Sequence, residues 1–138
     1  MNYLVDTNVL SELAKPLPAD GVLAWFRSHQ SNLYVSSISI GEIRKGLELL
    51  PAGKRKAGLQ AWFKSICECM EGRLLSFNTS TAQVWGHMVG TLEKKGIQLP
   101  TIDSQLAATA SRHGLTMVTR NVDDFKHAGV KVLNPFET

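Results

Sequence analysis

Tyr3-Leu-Val-Asp-Thr-Asn-Val-Leu10 decides the fold: an apolar run stops at Asp6-Thr-Asn8, and Val9, Leu10 and Leu13 then follow at helical spacing. The pattern predicts strand, turn, helix. It recurs at Leu33-Tyr-Val35, after which Ser39 opens a predicted helix with Ile40, Ile43, Leu47 and Leu50 at offsets of three and four. Between the two units, the residues after Pro18 put Val22, Trp25 and Phe26 on one helical face. Beyond Pro51-Ala-Gly53, the stripe Leu59, Trp62, Phe63, Ile66, Met70 predicts a helix closed by Gly72, and Leu74–Phe77 a short strand. Ser80 with Gln83 reads as a capping box opening a helix that stops near Gly96, and Pro100-Thr101 starts one that runs to Gly114. Leu115–Thr119 and Val130–Leu133 complete the strands. Strands separated by helices predict an α/β fold, a mostly parallel sheet covered on both faces.

The chain has 138 residues, 43% of them hydrophobic and 20% charged. That is one domain, 1–138, able to bury roughly 68% of its unfolded surface, and neither fibrous nor disordered. The net charge of +3 is unevenly spread. Arg44, Lys45, Lys54, Arg55, Lys56 and Lys64 fall in a stretch where Glu48 is the only acid from 43 to 67. This is either a solvated helical face or a surface for phosphate. Cys67 and Cys69 lie two apart on a predicted helix and point in different directions, which disfavours a disulfide and suits a reducing compartment. No stretch approaches the roughly 18 apolar residues of a membrane span, and Asp6 and Asn8 interrupt the region where a signal peptide needs its apolar core. A cytoplasmic protein without membrane contact is expected.

The acids carry the chemistry. Asp6 directly follows the first strand, Glu42 comes soon after the second, and Asp123 and Asp124 follow Leu115–Thr119, while Asp103 stands at a helix start. In a parallel sheet the carboxyl ends of the strands form the ligand crevice, so these side chains can meet there. Each also has a local reading: Asp6 as a helix cap, Ser39-x-x-Glu42 as a capping box, Asp103 as a first-turn acid. Together they favour a site for a hard cation, Mg²⁺ or Mn²⁺ rather than Zn²⁺. Such a site suits hydrolysis of a phosphodiester. The four histidines, His29, His87, His113 and His127, lack ligand spacing and read as surface or helix-end residues, and Trp62-Phe63 reads as core.

Four motifs in order, Val5-Asp-Thr-Asn-Val9, Ser39-Ile-Gly-Glu-Ile43, Pro100-Thr-Ile-Asp103 leading into Ala107–Ala110, and Thr119-Arg-Asn121 with Phe125, carry a resemblance through to Leu133-Asn-Pro135. The chain resembles PIN-domain ribonuclease toxins of the VapC type, nearest to the FitB-like branch. The resemblance implies a PIN-like α/β/α domain and a Mg²⁺-dependent endoribonuclease, with Mn²⁺ as a substitute. It also implies a VapB-like antitoxin that blocks the site, a homodimer or larger assembly, and tRNA or ribosomal RNA as the family's usual substrates. Asp6, Glu42 and Asp103 would be catalytic, with Asp6 and Asp103 holding the metal and Asn8 and Thr119 fixing the carboxylates.

The departure is Asn121, where the family often has Asp, so that Asp123 or Asp124 would supply the missing carboxylate and one-metal hydrolysis is favoured. Asp124 also suits a structural position beside Phe125. Arg120 would answer a scissile phosphate or the excess negative charge. Arg44, Lys45 and Lys54-Arg-Lys56 are candidates for the backbone of a single-stranded RNA. Two alternatives stand beside this reading. One is a catalytically weak module that binds RNA or protein. The other is an aspartyl-phosphate phosphotransfer or phosphatase domain, which would want a Lys at a strand end where this chain has Ser36-Ser37 and Thr119-Arg120. Trp25-Phe26 and Leu47–Leu50 read as core, with a dimer or antitoxin groove as the other option.

Overall fold

The computed structural model describes residues 1–137. Five parallel strands, β1 (Tyr3–Val5), β2 (Leu33–Ser36), β3 (Leu74–Leu75), β4 (Thr116–Val118) and β5 (Val132–Leu133), lie in the order β3-β2-β1-β4-β5. Tyr3 pairs with both Leu33 and Thr116, and Val5 with Val118. The central strand β1 is apolar at every position because both its faces are covered. Its side chains alternate accordingly. Tyr3 and Val5 join a cluster with Val9, Leu10, Val22, Val35 and Ile43, while Leu4 packs on the other side with Leu106, Ala107, Met117 and Phe125.

Four helices, α1 (Thr7–Leu13), α2 (Asp20–His29), α3 (Ser37–Glu48) and α4 (Lys54–Cys69), supply the first face. On the second, α6 (Thr101–His113) packs against the sheet and α5 (Thr79–Lys94) packs against α6. The chain builds outward from β1 through β2 to β3 and then returns to β4 on the opposite side of β1. The strand order therefore reverses between β1 and β4, and a crevice at the carboxyl ends of these two strands follows from the topology. Gly114 ends α6 in the left-handed conformation at φ 64°, which a residue without Cβ adopts freely.

Two predicted helix starts are displaced. The cap of α3 is Ser36, whose Oγ accepts from the Ile38 amide at 3.0 Å; Ser39 is interior and fully buried, so Ser39-x-x-Glu42 is not a capping box. The cap of α5 is Asn78, accepting from the Thr81 amide at 3.0 Å, which moves the start ahead of the predicted Ser80 box. Helix α4 begins at Lys54, ahead of the apolar stripe that opens at Leu59, and its polar first turn carries no apolar period. That turn sets Lys54, Arg55 and Lys56 against the positive end of the helix dipole without a side-chain cap. Trp25 is core, stacked on His29 at 4.6 Å with Tyr3 edge-on at 5.1 Å, so His29 is packed as well as helix-terminal. Cys67 and Cys69 are free thiols. Among the described residues, no helix is long and apolar enough to cross a membrane.

Candidate active site

Asp6 leaves β1 with extended backbone and caps α1, so one residue ends a buried strand and starts a helix. Its carboxylate is 5% exposed and has its donors supplied. The Thr7 amide donates to Oδ1 at 2.7 Å, the Thr119 hydroxyl to Oδ2 at 2.8 Å, and the Asn8 amide group to Oδ2 at 3.4 Å. Burial pushes the Asp6 carboxyl above its ordinary range; the bonds from Thr119 and Thr7 pull it down, and Glu42 and Asp124 push it up again. The net direction is upward.

Thr119 and Asn8 close a small network. Besides bonding Asp6, the Thr119 oxygen accepts from Asn8 Nδ2 at 3.2 Å and from the Asn121 amide at 3.1 Å. Asn8 Oδ1 accepts from the Arg120 amide at 3.3 Å. The start of α1 is thereby tied to the end of β4, across the crevice that the strand order creates. Glu42 enters from α3, where its Oε1 accepts from the Thr7 hydroxyl at 2.7 Å. Thr7 is the residue whose role the sequence concealed: it lies beside the first acid, but nothing in a linear pattern shows its hydroxyl meeting an acid 35 positions away.

Asp103 stands in the first turn of α6, partly buried and without a hydrogen bond from the described side chains. Its carboxyl is pushed up to about 6, first by burial and then by Asp6, Asp124 and Glu42. Widely separated acids thus share one electrostatic environment. Asp124 belongs to it, being felt at both Asp6 and Asp103, whereas Asp123 perturbs neither. The two sit side by side in a short 3₁₀ turn, Val122–Phe125, which directs neighbours differently. Asn121 contributes its amide to Thr119, and its side chain bonds to none of the acids.

Arg120 departs from expectation. Its guanidinium lies 4.1 Å above the Phe136 ring, and its field is felt at Glu12 rather than at Asp6 or Asp103. Arg44 is ion-paired with Glu48 at 2.6 Å on an exposed face, which answers for one of the clustered cations. Lys54 and Arg55 instead line an open groove of 660 Å³ between α1, α3 and α4, with Thr7 and Glu42 among its other walls. Leu47, Leu50 and Trp62 line this groove too, so these side chains are wall as well as core.

All nearby ligands are oxygens, a set that fits a hard divalent ion and not Zn²⁺. Among the described residues, no three acidic, histidine or cysteine side chains enclose a point at ligand distance.

The PIN domain family profile matches residues 3–131. Toxin FitB of Neisseria gonorrhoeae is 36% identical, covering 96% of this chain and 97% of its own length. VapC ribonuclease Y4jK of Sinorhizobium fredii is 35% identical, covering 97% of each. The crystal structure of FitAcB from Neisseria gonorrhoeae superposes with a TM-score of 0.92 at 36% identity, over 99% of both chains. With the profile spanning nearly the whole sequence and the fold shared end to end, the chain belongs to the PIN domain family.

Proposed function

We propose that this chain is the ribonuclease toxin of a type II toxin–antitoxin pair, hydrolysing RNA phosphodiester bonds in the crevice between β1 and β4 with the help of Mg²⁺ or Mn²⁺. The observation that carries the reading is the gathering of Asp6, Glu42, Asp103 and Asp124 at one crevice, where burial first and the repulsion among these carboxylates second push Asp103 up to about 6 and raise Asp6 despite its hydrogen bonds. Carboxylates that repel one another in this way gain most from a cation among them.

Asp6 and Asp103 would hold the ion. Thr7, Asn8 and Thr119 fix the Asp6 carboxylate, with Oδ2 accepting from both Asn8 and Thr119 and Oδ1 from the Thr7 amide alone, which leaves a lone pair on Oδ1 for a ligand bond. Glu42, aimed by the Thr7 hydroxyl, would orient the attacking water. A bound divalent ion supplies acidified water and neutralises charge developing on the phosphoryl group. Lys54 and Arg55 on the groove beside Glu42 would take up flanking backbone phosphates.

Similarity to a protein named toxin FitB and to one named VapC ribonuclease supports both halves of the reading. Another solved relative, 35% identical, is FitAB bound to a DNA fragment; the partner proposed here is a cognate VapB-like antitoxin, with the toxin as a homodimer or larger assembly.

The test is cleavage of total cellular RNA by purified, antitoxin-free protein with Mg²⁺ or Mn²⁺, beside EDTA and Asp6→Asn controls, with fragment ends sequenced. Discrete fragments lost in both controls are expected. A folded protein that binds the metal and RNA yet cuts nothing would replace this reading with that of a binding module.

A further inference from the structure

The geometry points to Arg120, held in place by the ring of Phe136, as the receptor for an RNA backbone phosphate that flanks the scissile one. This rests on the ribonuclease reading and adds a residue pair to it: Arg120 as a substrate contact and Phe136 as its positioning residue.

Arg120 is fixed at both ends. Its amide is bonded to Asn8 Oδ1 at 3.3 Å, and Asn8 is itself bonded to Asp6 and Thr119, so the Arg120 backbone is keyed to the acid network. Its guanidinium lies 4.1 Å from the centre of the Phe136 ring, a cation–π distance. Phe136 is steady in turn: it is half-buried against the main core, and its amide is tied to Asn134 Oδ1 at 2.9 Å.

A guanidinium stacked on a ring keeps its in-plane N–H edge available, and here that edge is unused. Among the described residues no carboxylate forms an ion pair with Arg120 and no side chain or carbonyl accepts from its guanidinium. Glu12 feels its field, but Glu12 is occupied by Lys15 at 2.8 Å and the Ala19 amide at 2.9 Å. The result is a planar fork, ordered in advance, with no acceptor of its own. Such a fork matches two phosphate oxygens.

Its placement selects the ligand. Arg120 is the one cation among the described residues lining a polar hollow of 480 Å³, whose other walls include Asn121 and three acids, Asp123, Asp124 and Glu137. Asp124 is felt at both Asp6 and Asp103, so the hollow adjoins the acid crevice. Its acids repel an anion everywhere except at Arg120. An RNA strand with one phosphate at the crevice presents further phosphates on either side, and this hollow receives one of them on the Arg120 fork.

The test measures binding of a short fluorescent single-stranded oligoribonucleotide of mixed sequence across a salt series, in an Asp103→Asn background that leaves the RNA uncut. Adding Arg120→Ala should weaken binding about tenfold at low salt and make the log–log salt slope shallower by about 0.7, the loss of one single-strand phosphate contact. Arg120→Lys should keep the slope and recover only part of the affinity. Phe136→Leu should weaken binding several-fold with the thermal melt retained, and Phe136→Tyr should restore it. With Asp103 intact, Arg120→Ala should raise KM for cleavage with kcat little changed. An unchanged affinity and slope in Arg120→Ala would overturn the proposal. So would weakened antitoxin capture with RNA binding intact, since the fork's partner would then be a protein carboxylate. Absence of cleavage by the wild-type protein with either metal would instead sink the ribonuclease reading, while the salt slope would still report on Arg120.

Discussion

The Thr119 hydroxyl donates to Asp6 Oδ2 at 2.8 Å from a residue 113 positions away, joining the ends of two adjacent parallel strands inside a fully buried contact. This bond lowers the Asp6 carboxyl against the upward push of burial. Replacing Thr119 by Val keeps the shape and removes the donor. The variant should lose about 1–3 kcal/mol of stability and raise Asp6 further, moving the acidic limb of the pH–rate profile upward. Thr119→Ser should restore both. An unshifted limb in thermally intact Thr119→Val would separate this hydroxyl from the chemistry.

The raised Asp103 and Asp6 carboxyls make a sign-specific prediction for the metal-free protein. Both hold their protons more tightly in the folded state than in the unfolded chain, where an Asp titrates near 3.8. Between about 4 and about 6 the folded state therefore binds more protons, and the contribution of these groups to stability falls as pH rises through that window. Asp103→Asn should remove much of the loss. Because Asp103 is only partly buried, solvent screening limits the gain to on the order of 1 kcal/mol at neutral pH, a melting shift of about 2–8 °C. Thermal melts of both proteins in EDTA from pH 4 to 8 check this; parallel curves would contradict it.

Thr7 holds Glu42 through a bond that spans α1 and α3. Thr7→Val should cost about 10–100-fold in cleavage rate while the melt changes little, the loss usual when a partner that orients a site carboxylate is removed. Steady-state rates on a defined RNA, read beside thermal unfolding, distinguish this from a packing effect.

Asp124 and Asp123 should behave differently although they are neighbours. Asp124→Asn removes a charge felt by both raised aspartates and should lower the pKa of the acidic limb, whereas Asp123→Asn should leave it in place. Asn121→Asp, whose native side chain bonds to none of the acids, should alter divalent-ion affinity less than Asp124→Asn does. Equal shifts from the two Asp variants would mean the turn does not discriminate between them.

How far the sequence reveals this site depends on which interactions are local. The strand–turn–helix at Tyr3–Leu10, the left-handed Gly114 and the positions of Asp6 at a strand end and Asp103 at a helix start follow from apolar periodicity and turn chemistry, both of which act over a few residues. The start of α3 is not fixed that way. Ser36, Ser37 and Ser39 are all competent caps, and the choice of Ser36 is set by where β2 stops pairing with β3, at Ser36 opposite Leu75. The Thr7–Glu42 bond, the separate roles of Asp123 and Asp124, and the stacking of Arg120 on Phe136 depend on how helices cross, how a 3₁₀ turn rotates its side chains and where the chain's last turn returns. Those are properties of packing, and a linear pattern does not contain them.

The most direct measurement is a calorimetric titration of Mn²⁺ into the purified, metal-free protein at pH 6 and at pH 8, repeated with Asp103→Asn. If Asp6 and Asp103 hold the ion, the wild-type protein binds it at both pH values and releases a fraction of a proton at pH 6, where Asp103 is near half-protonated, and much less at pH 8. Asp103→Asn should bind far more weakly and without that release. Mn²⁺ affinity and proton release unchanged by Asp103→Asn would place the ion elsewhere and contradict a metal-dependent site built on these two aspartates.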